Sequence, residues 1–354
     1  MKVTIDTTLL GPDHPCYIVA ELSGNHAGSL EHAKTLIRKA KQAGANAVKL
    51  QTYTADTITL NSTKPDFSIP ESDPWHHKKT LHALYQEAHT PWDWHEALFA
   101  EAKQEGITLF SSPFDISSVD FLESLDCPAY KIASPEITDI PLLKKVAQTK
   151  KPVIVSTGLA ELNDLELAVT TLKKNGCNDL ILLKCTASYP AKPNTMNLKT
   201  IPDLASRFEC LSGLSDHSLG IGIPIAAVCL GARFIEKHFM LDAVNSVDSF
   251  FSLNPHDFKH MVDEIRTIES ALGCVSYNPP GGPDKYRARR SLYVASSIQK
   301  GTIFEPKHIK SVRPSYGLHP KYFETIIGKK ATRDLETGDR LCLSDIQGLH
   351  NDDS

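Results

Sequence analysis

The chain has 354 residues, with 38 Lys plus Arg against 42 Asp plus Glu, a formal charge of −4. That balance excludes a strongly basic nucleic-acid binder, and 41% hydrophobic with 23% charged residues excludes a disordered composition. No run approaches the roughly 20 apolar residues of a membrane helix. The N-terminal MKVTIDTTLLGPDHP has an early Pro, acids and no apolar signal core, so a cytoplasmic location is expected.

From residue 16 onward, short apolar runs alternate with amphipathic stretches. The runs are CYIVAEL (16–22), NAVKLQT (46–52), ITLFSSP (107–113), AYKIAS (129–134), PVIVSTG (152–158), DLILLKCT (179–186), CLSGLSDH (210–217) and ARFIEKH (232–238). Between them SLEHAKTLIRKAKQAG, HEALFAEAKQEG, LNDLELAVTTLKKNG and IPIAAVCLG repeat apolar residues at three and four, and several end at a helix-capping Gly. Short strands apolar on both faces, alternating with helices, predict a parallel sheet. Eight such units over residues 16–272 predict a (β/α)8 TIM barrel, a fold of about 250 residues. The alternative is an open doubly wound sheet, but no G-x-G-x-x-G follows any strand.

Residues 53–91 form an unusually long connection between the second and third strands. It carries Phe67, Trp75, Tyr85 and several His, so it is expected to be ordered and to lie over the barrel mouth. His76, His77, His82 and His89 show no ligand spacing and are expected at the surface. A last helix is predicted over 254–273. The barrel domain is thus assigned to 1–272 and a Pro/Gly-rich, then basic, linker to 273–290. A small, mainly β domain is assigned to 291–354, where short β-like pieces alternate with KG, YG and TG turns. A domain this small is marginal alone and is expected to pack on something else. The eight cysteines contain no C-x-x-C pair and several sit in apolar runs such as AAVCLGA around Cys229, so reduced, mostly buried thiols are expected.

Barrel active sites lie at the C-terminal strand ends. Here those ends carry Glu21; Lys49 and Gln51; Ser111 and Ser112; Lys131, Ser134 and Glu136; Ser156 and Thr157; Lys184, Thr186 and Tyr189; Ser215, Asp216 and His217; Glu236, Lys237 and His238. A single polar residue at a strand end is more often a turn former than a catalyst; eight in succession are harder to dismiss. Lys49 and Lys131 interrupt apolar strands, and a buried Lys needs a partner. An ion pair with Glu21 or Glu136 is the plain structural reading. Two lysines ringed by Ser112, Ser134, Ser156 and Ser215 better suit an anionic ligand, phosphate or carboxylate. A Schiff-base lysine, as in an aldolase, is the rival. His217 and His238 end adjacent strands and can share one divalent metal with open positions, Mn²⁺ or Mg²⁺ as readily as zinc. A lone His is usually a satisfied core residue; the pair favours metal. The basic run in GGPDKYRARRS is expected to be a solvated linker.

At these residues the sequence resembles the N-acylneuraminate (sialic acid) synthase family. The resemblance rests on IVAELSGNHAGSLE, AVKLQT, SSPFD, PAYKIASPEITD, STGLA, KCTASYP, GLSDHSLG and IEKHFMLD, and on SVRPSYG with IIGKKATRDLETGDRL, which is similar to the family's small antifreeze-like (SAF) domain. Within the family QTYTADTITL, KPDF and KTLHALYQEAHTPWDWH are most similar to the pseudaminic acid branch. The resemblance implies condensation of phosphoenolpyruvate with an amino sugar, with C–O cleavage releasing phosphate. It implies that Lys49, Ser112, Lys131, Ser134, Ser156 and Ser215 hold phosphoenolpyruvate. It implies His217 and His238 as ligands of Mn²⁺ or Mg²⁺, with Co²⁺ a further candidate. Glu21, Gln51 and Glu136 would act at the reacting centre, Tyr189 and Asp248 on the sugar. Arg313 would reach the sugar from the partner subunit of a domain-swapped homodimer, and the product would enter a surface glycan or flagellin. Ala187 stands where the sialic acid branch has Asn, which fits a sugar other than N-acetylmannosamine; N-acetylneuraminate and legionaminate synthesis are the alternatives within the family. A pyruvate aldolase and a non-catalytic carbohydrate-binding protein are the alternatives outside it.

Overall fold

The computed structural model describes residues 1–241, 246–282 and 284–349. Asp242 of the IEKHFMLD segment, Pro283 of the expected linker and residues 350–354 of the expected small domain lie outside the described residues. The chain divides into two compact units, Met1–Gly273 and Cys274–Ser354.

The first unit opens with a feature that the periodicity did not reveal, a hairpin of β1 (Val3–Ile5) and β2 (Thr8–Leu10). Asp6 takes a left-handed backbone (φ +51°) at its tight turn. Val3, Ile5 and Leu10 are buried in the core that contains Tyr17, Phe110 and Phe234. Eight parallel strands follow: β3 (Tyr17–Glu21), β4 (Ala47–Thr52), β5 (Thr108–Pro113), β6 (Tyr130–Ile132), β7 (Val153–Ser156), β8 (Leu180–Cys185), β9 (Leu211–Asp216) and β10 (Phe234–His238). They close into a barrel through pairing of β10 with β3. Each predicted apolar run thus holds one barrel strand.

Alternation along the strands sorts the residues into layers. Ile18, Ala20, Val48, Leu50, Leu109 and Ile235 belong to a core shared with the helices. Val19, Ala47, Phe110, Ile154, Leu183 and Phe234 belong to another core, and their registers place them on the inner faces. Two residues further along those inner faces stand Glu21, Lys49, Ser112, Ser156, Cys185 and Glu236. The barrel floor is therefore apolar and its mouth is charged.

The helices follow the predicted patterns. Ser29 caps Leu30–Gln42 by accepting from His32 N, and Asn254 caps Pro255–Leu272 by accepting from Asp257 N. The segment 53–91 contains the helices Ala55–Ile58 and Leu81–Ala88 and short 3₁₀ turns at Pro65–Phe67 and His76–Lys78. All eight cysteines are free; five are buried. Cys229 departs from expectation, being exposed. It ends the helix Gly222–Cys229, which turns Pro224, Ala227 and Val228 inward instead.

The second unit pairs β11 (Ser291–Val294) antiparallel with β12 (Ile309–Val312) around its own core of Leu292, Phe304, Ile326 and Leu341. Among the described residues no helix is long and apolar enough to cross a membrane.

Candidate active site at the barrel mouth

The inner faces of β3, β4, β6 and β10 bring four charges together. Lys49 Nζ lies 2.5 Å from Glu21 Oε2 and 3.9 Å from Glu236 Oε2. Lys131 Nζ donates to both oxygens of Glu236, at 2.8 and 3.0 Å. Ser215 Oγ donates to Glu236 Oε1 (3.1 Å), and Lys49 donates to Ser112 Oγ (3.2 Å). All of these residues are buried. Burial works to raise Glu236, but the Lys131 and Lys49 ammoniums outweigh it and hold the carboxyl below its ordinary range. Burial, then the Glu236 charge, push Glu21 upward against the pull of Lys49. Lys131 is lowered by burial and by Lys49, with Glu236 opposing.

A second chain of bonds runs from this cluster. Glu21 Oε1 accepts from Gln51 Nε2 (3.0 Å) and from the Ser23 backbone N–H (3.1 Å). Gln51 Nε2 also donates to Ser23 Oγ (3.1 Å), whose hydroxyl donates to Asp248. Ser23 holds this place with a left-handed backbone, φ +45°.

The two histidines meet as expected. The rings of His217 and His238 have centroids 5.2 Å apart, and Phe251 packs 4.7 Å from His238. His217 Nδ1 lies 3.1 Å from the Thr186 carbonyl, which can only accept. Nδ1 therefore carries a proton, and Nε2 is the nitrogen that can ligate once the ring is neutral. His238 Nδ1 is buried and has no hydrogen-bond partner. Burial and the neighbouring His217 push His238 well below the usual imidazole range, so it is neutral. Burial works to lower His217, but Cys185 and the Thr186 carbonyl outweigh it and raise the ring above the ordinary imidazole range, so a divalent cation would displace a proton from it; the two imidazoles together fit such a cation. Among the described residues no cluster of three or more His, Cys, Asp or Glu adds further ligands. This donor set leaves coordination positions for water or substrate, as a catalytic site requires.

These groups line a cavity of about 440 Å³. Lys49, Gln51, Lys131, Ser134, Glu136, Ser156, Tyr189, Ser215, His217, His238 and Asp248 line it. Glu21 and Ser112 are fully buried behind Lys49 and are not among the lining residues. Of the two glutamates expected at the reacting centre, Glu136 is the one that opens onto the cavity. It sits in the 3₁₀ turn Ser134–Thr138 after β6, and burial raises its carboxyl to about 7. Its Oε2 has no partner. Ser156 Oγ is likewise buried without a partner, and Ser134 Oγ accepts from Gly158 N (2.9 Å). A Cβ at Gly158 would stand 2.8 Å from Ser134 Oγ and 3.0 Å from Cys185 Sγ, so no side chain fits there. Arg313 belongs to the second unit, where it lines a concavity with Lys285 and Arg287.

Three residues of the site carry no assignment from sequence. Glu236 was visible as a strand-end acid, but its role depends on Lys131, 105 positions earlier. Ser23 is joined to Asp248 across 225 positions. Cys185 faces inward in β8, 3.9 Å from His217 Nδ1; burial raises its thiol, but His217, Ser134 and Lys131 prevail and bring it to about 7.

Comparison with known proteins places this geometry. Residues 36–277 match the NeuB family model and residues 289–347 the SAF domain model. The chain is 49% identical over 337 residues to the pseudaminic acid synthase of Campylobacter jejuni subsp. jejuni serotype O:23/36 (strain 81-176), covering 95% of this chain and 98% of that one. It is 42% identical to the pseudaminic acid synthase of Helicobacter pylori (strain ATCC 700392 / 26695), covering 94% and 98%. A crystal structure of N-acetylneuraminic acid (sialic acid) synthetase from Leptospira borgpetersenii serovar Hardjo-bovis superposes with a TM-score of 0.71 at 31% identity, covering 79% of this chain and 93% of that one. With the NeuB match spanning more than half of its length and the mouth of its barrel built as described, the chain belongs to the NeuB family.

Proposed function

We propose that the chain is a pseudaminic acid synthase. It condenses phosphoenolpyruvate with 2,4-diacetamido-2,4,6-trideoxy-altrose and releases pseudaminic acid and phosphate. The observation that carries this reading is the convergence of Lys49, Lys131 and three cavity-lining serines with two imidazoles and Glu136 in one cavity. The relatives at 49% and 42% identity carry the same activity in their names.

His217 and His238 would hold the divalent cation, Mn²⁺ or Mg²⁺ with Co²⁺ as a further candidate. When bound it would polarise the sugar aldehyde. Lys49 and Lys131, with Ser134, Ser156 and Ser215, hold the phosphate and carboxylate, and Ser112 supports Lys49 from behind. C3 of phosphoenolpyruvate attacks the aldehyde carbon, a water adds to the cationic C2, and the tetrahedral adduct expels phosphate by C–O cleavage. Glu136 moves the proton at the sugar oxygen, its carboxyl being half protonated near neutrality. Glu21 orients Lys49 and Gln51. Gln51, Tyr189 and Asp248 face the sugar, and Arg313 is supplied by the second subunit of a domain-swapped homodimer. Burial and Lys49 lower Lys131, but its two bonds to the Glu236 carboxylate oppose this, and a Schiff base on Lys131 would have to give up that pairing. A cytoplasmic enzyme supplying a surface glycan or flagellin fits this chemistry.

The test is phosphate release by metal-stripped protein given phosphoenolpyruvate and either the altrose sugar or N-acetylmannosamine, with and without Mn²⁺. Mn²⁺-dependent release with the altrose sugar alone is expected. Release with N-acetylmannosamine alone overturns the reading.

A further inference from the structure

The cavity has two walls of opposite chemistry. The barrel contributes lysines, hydroxyls, imidazoles and Glu136. The facing wall comes from the long segment 53–91, where Ile58, Ile69, Leu81, Leu84 and Ala88 form an apolar patch beside Tyr53, Asp73 and Tyr85.

The helix Leu81–Ala88 explains this wall. Leu81, Leu84 and Ala88 recur at three and four positions, so they share one face. All three line the cavity, as do Ile58 and Ile69 from the same segment. Phe114, just after β5, joins them and packs edge-on against Tyr53 with ring centroids 5.0 Å apart. An amphipathic helix ordinarily turns its apolar face onto the core. This one is fixed by its Thr80 cap and turns that face toward the ligand space, where Leu81 remains half-buried. Trp75 closes the wall beside Tyr189, at 5.5 Å between centroids. Its indole N–H is committed to the Val247 carbonyl (2.9 Å), leaving it no donor for a sugar hydroxyl.

The position of the wall sets what it meets. The aldehyde end of the sugar must lie at the barrel mouth, beside Glu136 and the imidazoles. The other end of the carbon chain then points toward the segment 53–91. Acetamido groups carry an N–H and a carbonyl that need polar partners, and Ile58, Ile69, Leu81 and Leu84 have no donor or acceptor in their side chains. The substituent that such a wall covers without stranding a polar group is a terminal methyl.

We infer that Ile58, Ile69, Leu81 and Leu84 form a subsite for the C6 methyl of a 6-deoxy sugar, and that this wall rejects the corresponding 6-hydroxy sugar. The inference rests on the synthase reading above and adds to it the group by which the sugar is selected. A hydroxyl placed against these four side chains, and away from Asp73 and Tyr85, loses its hydrogen bonds to water without replacement, a discrimination of about 10- to 100-fold.

The experiment compares kcat/KM of the wild-type enzyme for 2,4-diacetamido-2,4,6-trideoxy-altrose and its 6-hydroxy counterpart, with phosphoenolpyruvate saturating. A preference of about 10- to 100-fold for the deoxy sugar is expected. The half-buried Ile58→Thr and the more buried Leu84→Asn should each narrow that ratio while leaving KM for phosphoenolpyruvate unchanged. Equal kcat/KM for the two sugars, or a ratio untouched in both folded variants, overturns the subsite and leaves the synthase reading standing. Turnover of N-acetylmannosamine with neither altrose sugar accepted overturns the reading and the subsite together.

Discussion

Lys237 and Asp216 form a fully buried ion pair, 2.6 Å apart, between the ends of β10 and β9. Asp216 also accepts from Ser218 N (2.9 Å), and Lys237 donates to the Ser218 carbonyl. By alternation both residues point outward where Glu236, His238, Ser215 and His217 point inward. The pair ties together the two strand ends that present the imidazoles. Replacing one partner strands a buried charge, at a cost of about 3–5 kcal/mol. Lys237→Met and Asp216→Leu should each lower the urea midpoint strongly, and the double replacement should recover much of the loss. Additive losses in the double variant would show that the two charges are not coupled.

The Glu136 carboxyl gives the reaction a pH signature. Its folded value of about 7 lies above the ordinary 4.5, so the proton is held until the pH passes about 7. A step that needs the acid is at full rate below that point and declines above it. Removing the acid should lower kcat by about 10²- to 10⁴-fold. The Glu136→Gln variant should also lose the alkaline limb of the kcat profile. An unchanged limb in this variant would assign the titration to another group. Stability has the same sign: the contribution of Glu136 is full below 4.5 and is lost as pH rises through about 7.

The eight strands, the lysines and the paired histidines were legible because each announces itself locally. Alternation and Gly caps mark the elements, and a Lys within AVKLQT or YKIAS contradicts its surroundings. The pairings were not legible. Glu236 and Lys237 are neighbours of similar polarity, yet one enters the barrel and the other its outer layer. Only the register with β9 and β3 distinguishes them. The hairpin Val3–Leu10 escaped notice because three-residue strands are too short to show a period. The segment 53–91 was recognised as ordered from its aromatics, but the direction of its apolar face required the fold.

Metal dependence should follow the two imidazoles. Chelation is expected to abolish phosphate release, and Mn²⁺ to restore it. His217→Ala and His238→Ala should each weaken Mn²⁺ binding in a calorimetric titration by at least 10-fold, since each removes one of two protein ligands. Undiminished binding in both variants would place the cation elsewhere.

The lysines separate the synthase from an aldolase. Losing one charge-assisted contact to the anion costs about 1.5–3 kcal/mol. Lys49→Met should therefore raise KM for phosphoenolpyruvate by about 10- to 100-fold. Borohydride with pyruvate should leave the mass of the wild-type protein unchanged. A stable adduct on Lys131 would favour the Schiff-base route.

Gly213 sits on the inner face of β9, and a Cβ there would lie 2.1 Å from the Phe234 carbonyl oxygen and 2.9 Å from Leu183 Cδ2. The strands that deliver His217 and His238 can therefore lie side by side only while position 213 carries a hydrogen. In a saturation library this site should tolerate no replacement. Its loss would be felt first not as a missing chemical group but as strands wedged apart, so lineages of this barrel are free to retune the cavity walls but not this seam.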